Sequence, residues 1–219
     1  MPEKLALGVL ASGRGSNFQA IIDAIEAGRL NASVKLLIVD DPKAFAVERA
    51  KKHSIEYLCL QPREFSSKDA FFLKIVDELK MRGVKLVILA GFMRIVRRPL
   101  LDAFPHQVMN IHPALLPSFP GLHGQKQAVD YGVKISGCTV HFVDEGMDTG
   151  PVIIQAAVPV SPDDTEESLS ARILKLEHRI FPEAIRLYAE GRLRIEGSVV
   201  RISGYGLDEG LIVNPPLRD

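Results

Sequence analysis

A chain of 219 residues, 47% of them hydrophobic and 25% charged, carries enough apolar material for one sizeable core. Its 27 basic and 27 acidic residues cancel. That excludes a general attraction to nucleic acid or anionic membranes, and leaves small polyanions held in a specific pocket as the charged partners to expect. Cys59 and Cys138 both sit in apolar, strand-like runs and read as buried reduced thiols rather than a disulfide framework. No apolar run approaches roughly 18 residues and no basic-then-apolar leader opens the chain, so a cytoplasmic protein is expected.

Residues 5–11 form a continuously apolar run, as expected of a strand buried on both faces. The turn Ser12-Gly13-Arg14-Gly15-Ser16-Asn17 follows, then an amphipathic helix with Phe18, Ile21, Ile22 and Ile25 inward and Gly28 placed to end it. Strand, Gly-rich turn and helix form the unit that presents free backbone N–H groups to a phosphate, with Ser16 and Asn17 as candidate caps and donors. The turn is neither a Walker A loop nor a full dinucleotide fingerprint. A short monophosphate site, or a plain capped turn without ligand, are the readings it allows.

Residues 34–39 read as a second strand, broken by Asp40-Asp41-Pro42, with a helix over 44–52. A short third strand spans 57–60, and Ser66 or Ser67 starts a long helix over 68–82, with Phe71, Phe72, Ile75, Val76 and Leu79 inward. Residues 84–89 form the fourth strand and open into the apolar loop 90–95.

Residues 108–112 are next. If they form a strand, Asn110 and His112 share a face, and Pro113 and Pro117 stop the ladder just after them. A helix over 125–131, a strand over 136–143 carrying His141, the acid- and glycine-rich loop 144–150 and a strand over 152–160 follow. Asp164 or Thr165 caps a helix running to about residue 190, and residues 193–196 and 199–202 suggest a hairpin before the last residues trail off. The βα alternation predicts an α/β fold: a Rossmann-like, mostly parallel sheet with helices on both faces and a small C-terminal hairpin.

Asn110, His112 and Asp148 are the groups that bear chemistry. Singly, they read as a cap, a satisfied imidazole and a turn residue. Together they supply what acyl transfer needs when the substrate brings its own nucleophile: an amide and an imidazole for the oxyanion, and a carboxylate to orient the ring. No nucleophile elbow is present, which disfavours an acyl-enzyme. Asp144, Glu145 and Asp148 lack calcium-loop order, and no metal is expected.

Asn110-x-His112-Pro113, Pro120-Gly121-Leu122-His123 and His141-Phe142-Val143-Asp144-Glu145-Gly146-x-Asp148-x-Gly150-Pro151 resemble the folate-dependent formyltransferases. Gly13-x-Gly15-Ser16-Asn17-Phe18-Gln19 and Ala90-Gly91-Phe92-Met93-Arg94 narrow the resemblance to the phosphoribosylglycinamide branch, over residues 5 to about 195. The resemblance implies formyl transfer from 10-formyltetrahydrofolate to the amine of 5-phosphoribosylglycinamide in purine biosynthesis, without metal. It implies one formyltransferase domain over 1–219, with a phosphate-binding half over 1–106 and a catalytic, folate-contacting half over 107–219.

By position, Gly15, Ser16, Asn17, Phe18 and Gln19 would hold the ribose phosphate, and Glu177 a ribose hydroxyl. Lys68, Met93, Arg94, Ile95, Val96, Asn110, Val143, Asp144, Glu145, Gly146 and Met147 would contact the folate. Asn110 and His112 would hold the oxyanion, with Asp148 paired to His112. Lys68 stands where relatives often carry Arg, a point charge in place of a bidentate fork. The resemblance also suggests a cis bond at Leu116-Pro117.

Rival readings are a tRNA formyltransferase, which would need a further basic domain, a formyltetrahydrofolate hydrolase, which would carry an N-terminal regulatory domain, and a non-catalytic phosphate sensor. No nucleic-acid or membrane partner is expected, and the chain is expected to be a monomer or homodimer.

Overall fold

Apolar runs without polar alternation build the centre of the sheet. In the computed structural model, which describes residues 3–204 and 206, five strands lie parallel: β1 (Leu5–Ala11), β2 (Ala32–Val39), β3 (Tyr57–Cys59), β4 (Leu86–Leu89) and β5 (Val108–His112). Strands covered on both faces need no polar side, and β4, Leu-Val-Ile-Leu, is buried throughout. β6 (Ile135–Phe142) and β7 (Val152–Pro159) add antiparallel, and the hairpin of β8 (Leu193–Glu196) and β9 (Val199–Ile202) closes that side. Among the described residues the strands form one sheet in the order β3-β2-β1-β4-β5-β6-β7-β9-β8.

The helices are α1 (Ser16–Glu26), α2 (Ala46–Lys52), α3 (Lys68–Met81), α4 (Arg98–Ala103), α5 (Gly124–Tyr131) and α6 (Glu166–Ala189). α1, α2 and α6 bury Phe18, Ile21, Ala50 and Phe181 against one face of the sheet. α3 and α4 bury Phe71, Phe72, Ile75 and Leu100 against the other. α5 packs with α6 in a smaller cluster around Cys138 and Leu169. The mostly parallel, doubly covered sheet and its terminal hairpin are the architecture the sequence predicts.

The details differ in physically instructive ways. α4 leaves no pattern in the sequence, because six residues are too few to display an apolar stripe, although Pro99 supplies a helix start. The cap expected from Ser16 or Asn17 is absent: α1 begins after Gly15, in the left-handed region at φ 66°, with no side-chain cap. At α3, by contrast, Ser67 Oγ accepts from Ala70 N at 3.0 Å. At α6, Thr165 and Ser168 cap reciprocally, at 3.2 and 3.0 Å. Cys138 is buried while Cys59 is only half-buried, and both thiols are free. The trailing end anticipated beyond the hairpin lies outside the described residues.

The chain runs β1, β2, β3 outward and returns to the far side of β1 as β4. That reversal opens a crevice at the carboxyl ends of β1 and β4, where an open α/β sheet takes its ligand. The loops after β1, β4 and β5 all start at this level.

Candidate active site

One side of the crevice is made of backbone. Gly15 lets the chain turn left-handed into α1, and a Cβ there would lie 2.8 Å from Ala46 Cβ on α2. With no side-chain cap, the N–H groups of Ser16, Asn17 and Phe18 have no partner within the helix, and an anion suits that position. Phe18 contributes only its amide, since its ring is core. Asn17 Nδ2 donates to Glu177 Oε2 at 2.7 Å, which joins α1 to α6 across 160 residues of sequence. Burial raises the Glu177 carboxyl above its ordinary value, partly offset by the bond from Asn17. Gln19 Oε1 accepts from Arg49 Nη1 at 3.0 Å, and Arg49 Nε donates to the Arg14 carbonyl at 2.9 Å. Arg49 thus braces the loop, a role only tertiary packing reveals.

The other side is made of side chains. β5 does reach His112, so Asn110 and His112 share a face, as the period-2 reading predicts. His112 is 4% exposed; its Nδ1 lies 3.4 Å from Asp148 Oδ2 and its Nε2 lies 2.8 Å from the Phe119 carbonyl. Both ring nitrogens therefore face acceptors. Asp148 sits at φ 56°, and its Oδ2 also accepts from Gly121 N at 2.8 Å. That bond ties the loop 118–123 to the loop 143–150. Phe119 and His123 are left-handed as well, at φ 54° and 59°. Three non-glycine residues in this region, so close together, mark a site where tertiary contacts overrule local preference.

The turn after β5 is held by Thr139 on β6. Its buried hydroxyl donates to Ala114 O at 2.7 Å and accepts from Leu116 N and Gln155 Nε2, both at 3.0 Å. Leu116-Pro117 is cis. His141, opposite Asn110 in the β5–β6 register, accepts from Asn110 Nδ2 at 3.2 Å and lies 3.7 Å from Asp148 Oδ1. In the sequence, His141 shows only as a strand residue, without a site signal of its own. The antiparallel pairing of β5 with β6 is the signal that would have found it.

The residues anticipated around a folate lie on two loops, one helix start and, for Asn110, strand β5. Met93 and Ile95 leave 66% and 69% of their surfaces exposed, and Val96 and Val143 are half-buried behind them. Together they offer an apolar wall at the end of β4. Arg94 turns its Nε onto the buried Asp40 at the end of β2, so its guanidinium is already engaged. Glu145 pairs with Arg98 at 2.9 Å, and Asp144 Oδ1 accepts from Gly146 N and Thr149 Oγ1. Met147 is exposed beside Gly121. Lys68 is exposed at the first turn of α3, whose neighbouring Asp69 pairs with Arg97 at 2.7 Å. Among the described residues no group of three or more His, Cys, Asp or Glu could hold a metal ion.

An uncapped helix start after β1 and a cluster of Asn110, His112 and Asp148 after β5 and β6 lie at the ends of strands of one α/β sheet, where open sheets of this class take their ligands. The chain belongs to the formyl transferase family, whose model matches residues 5–185. It is 44% identical over 178 residues to the phosphoribosylglycinamide formyltransferase of Bacillus subtilis, covering 81% of this chain and 91% of that protein. It is 46% identical to the trifunctional purine biosynthetic protein adenosine-3 of Drosophila melanogaster, covering 88% of this chain but only 14% of that much longer protein. The structure of glycinamide ribonucleotide transformylase 1 from Symbiobacterium toebii superposes with a TM-score of 0.91 at 52% identity, covering 92% of this chain and 95% of that one.

Proposed function

We propose that this chain transfers the formyl group of 10-formyltetrahydrofolate to the amine of 5-phosphoribosylglycinamide by direct attack. The observation that carries this reading is the placing of Asn110, His112 and Asp148 on one side of a crevice. Its other side is the uncapped start of α1, joined to α6 through Asn17 and Glu177.

In this reading Ser16, Asn17 and Phe18 give their amides to the phosphate, and Glu177 accepts from the ribose. The folate lies against Met93, Ile95, Val96 and the loop 143–147, with Lys68 as an outer cation. The amine nitrogen attacks the formyl carbon, and the carbonyl electrons move to oxygen. The Asn110 amide and the His112 imidazole stabilise that oxyanion, a kind of interaction worth about 3–4 kcal/mol per well-placed donor. Collapse breaks the bond to the folate nitrogen, which takes up the proton the amine gives up. Asp148 keeps the His112 ring oriented throughout.

His112 Nε2 is held by the Phe119 carbonyl, so the loop 118–123 releases it before the ring serves a substrate. The reading takes the chain as one formyltransferase domain with a phosphate-binding half over 1–106 and a catalytic half over 107–219. Among the described residues no helix is long and apolar enough to cross a membrane. A cytoplasmic monomer or homodimer acting on small molecules fits the neutral charge balance.

The test mixes the protein with both substrates and follows tetrahydrofolate and formylated product together. Stoichiometric release of both is expected. Release of formate without formylated product would favour a hydrolase, and substrate binding without turnover would favour a phosphate sensor.

A further inference from the structure

The Asn110 side chain has two ends of similar shape and opposite chemistry, and only one of them can donate to an oxyanion. Something must fix which end faces which way. His141 is 1% exposed and sits directly across the β5–β6 ladder from Asn110. Its Nδ1 lies 2.8 Å from the Phe142 carbonyl. A carbonyl only accepts, so Nδ1 carries the proton and donates. In the neutral ring Nε2 is then bare and can only accept. The group 3.2 Å away must be a donor, which makes it the Asn110 Nδ2 amide.

We infer that His141 is a positioning residue. Held as the Nδ1–H tautomer by the Phe142 carbonyl, it selects the amide orientation of Asn110 and so aims the second Nδ2–H for the oxyanion. This rests on the reading of Asn110 as an oxyanion donor.

The surroundings support the neutral ring. Burial pushes the His141 imidazole below its ordinary value and the nearby His112 does the same, against the Phe142 carbonyl and the carboxylates of Asp148 and Asp144. A protonated His141 would donate from Nε2, and Asn110 would have to turn its oxygen inward. His141 touches no reacting atom; it acts through the amide.

Four measurements test this. A long-range proton–nitrogen spectrum of the wild-type imidazoles at neutral pH is expected to show His141 as the neutral Nδ1–H tautomer. An Nε2–H tautomer or an imidazolium would overturn the inference without any variant. His141→Leu, which fills the space but cannot accept, is expected to lower kcat roughly 10- to 100-fold with both KM values within about threefold. That is less than the ~10²–10³ of deleting an oxyanion donor outright. His141→Gln, which can place an acceptor oxygen near the Nε2 position, is expected to restore most of that loss.

The last measurement is the cycle with Asn110→Ala. Because His141 works through Asn110, adding His141→Leu to Asn110→Ala is expected to cost almost nothing more. Equal losses in both backgrounds would mean a merely structural role and overturn the proposal. Normal kcat in Asn110→Ala would instead sink the reading of the site itself, and a deficient Asn110→Ala with normal His141→Leu would sink only the inference.

Discussion

The two sides of the crevice are built from different materials. The side formed by β1 and α1 offers backbone amides turned into place by a left-handed glycine. The side formed by β5, β6 and the loop 143–150 offers side chains: Asn110, His112, His141 and Asp148, joined to one another across strands and loops. A backbone site binds; a side-chain site of this kind can shift charge and protons. The difference predicts that damage to the first raises KM, and damage to the second lowers kcat.

The largest effects should come from the side-chain half. His112→Ala and Asp148→Ala are each expected to lower kcat by a factor on the order of 10²–10⁴, with affinity for the phosphate-bearing substrate largely kept. Steady-state kinetics and calorimetric titration separate the two quantities. A variant that binds weakly but turns over normally would erase the distinction between the halves.

Gly15→Ala should show the opposite pattern. A non-glycine residue at φ 66° costs about 1–2 kcal/mol, and its Cβ would meet Ala46 at 2.8 Å, so the loop has to shift. Each 1.4 kcal/mol lost from binding is about tenfold in affinity. KM for the glycinamide substrate is expected to rise about tenfold or more, with kcat within a few-fold. A kcat loss as large as that of His112→Ala would mean the two sides are not separable.

Thr139→Val tests how the side-chain half is held up. The substitution keeps the shape but strips the hydroxyl from two buried partners, Ala114 O and Leu116 N, and from the exposed Gln155 Nε2. An unsatisfied buried polar group costs about 1–3 kcal/mol, so a clear loss in chemical-denaturation stability is expected, with a smaller loss of kcat. Unchanged stability would show that the turn after β5 supports itself.

Legibility in the sequence follows the same division. The parallel strands announce themselves as unbroken apolar runs, and the Gly-rich turn announces a helix start, because both signals are local. His112 and Asn110 were visible as a same-face pair for the same reason. His141, Thr139 and Arg49 were not, since each acts on a partner at least 23 residues away in the sequence. The cap of α1 misled for a related reason: Ser16 and Asn17 have capping chemistry, but Asn17 is drawn to Glu177, 160 residues on. Local pattern names the elements; distant pairing assigns the side chains their work.

Glu177 is a titrating group that burial perturbs on the otherwise backbone-built side, and it offers the gentlest test. Burial favours its neutral form, so its folded value stands above its unfolded one. Protons are then bound more tightly in the folded state. The stabilisation is complete below the ordinary carboxylate range and is lost as pH rises through the raised folded value. Glu177→Gln keeps an oxygen to accept from Asn17 but has no charge to bury. Its melting temperature, measured from about pH 4 to neutral, is therefore expected to fall less with pH than that of the wild type, so that the two curves separate as pH rises. Parallel curves would show that the carboxylate is accommodated without cost, through some donor besides Asn17. The first side of the crevice would then hold a real anion of its own beside the place proposed for the phosphate, and the contrast drawn between a passive backbone cradle and a charged catalytic wall would have to be redrawn there.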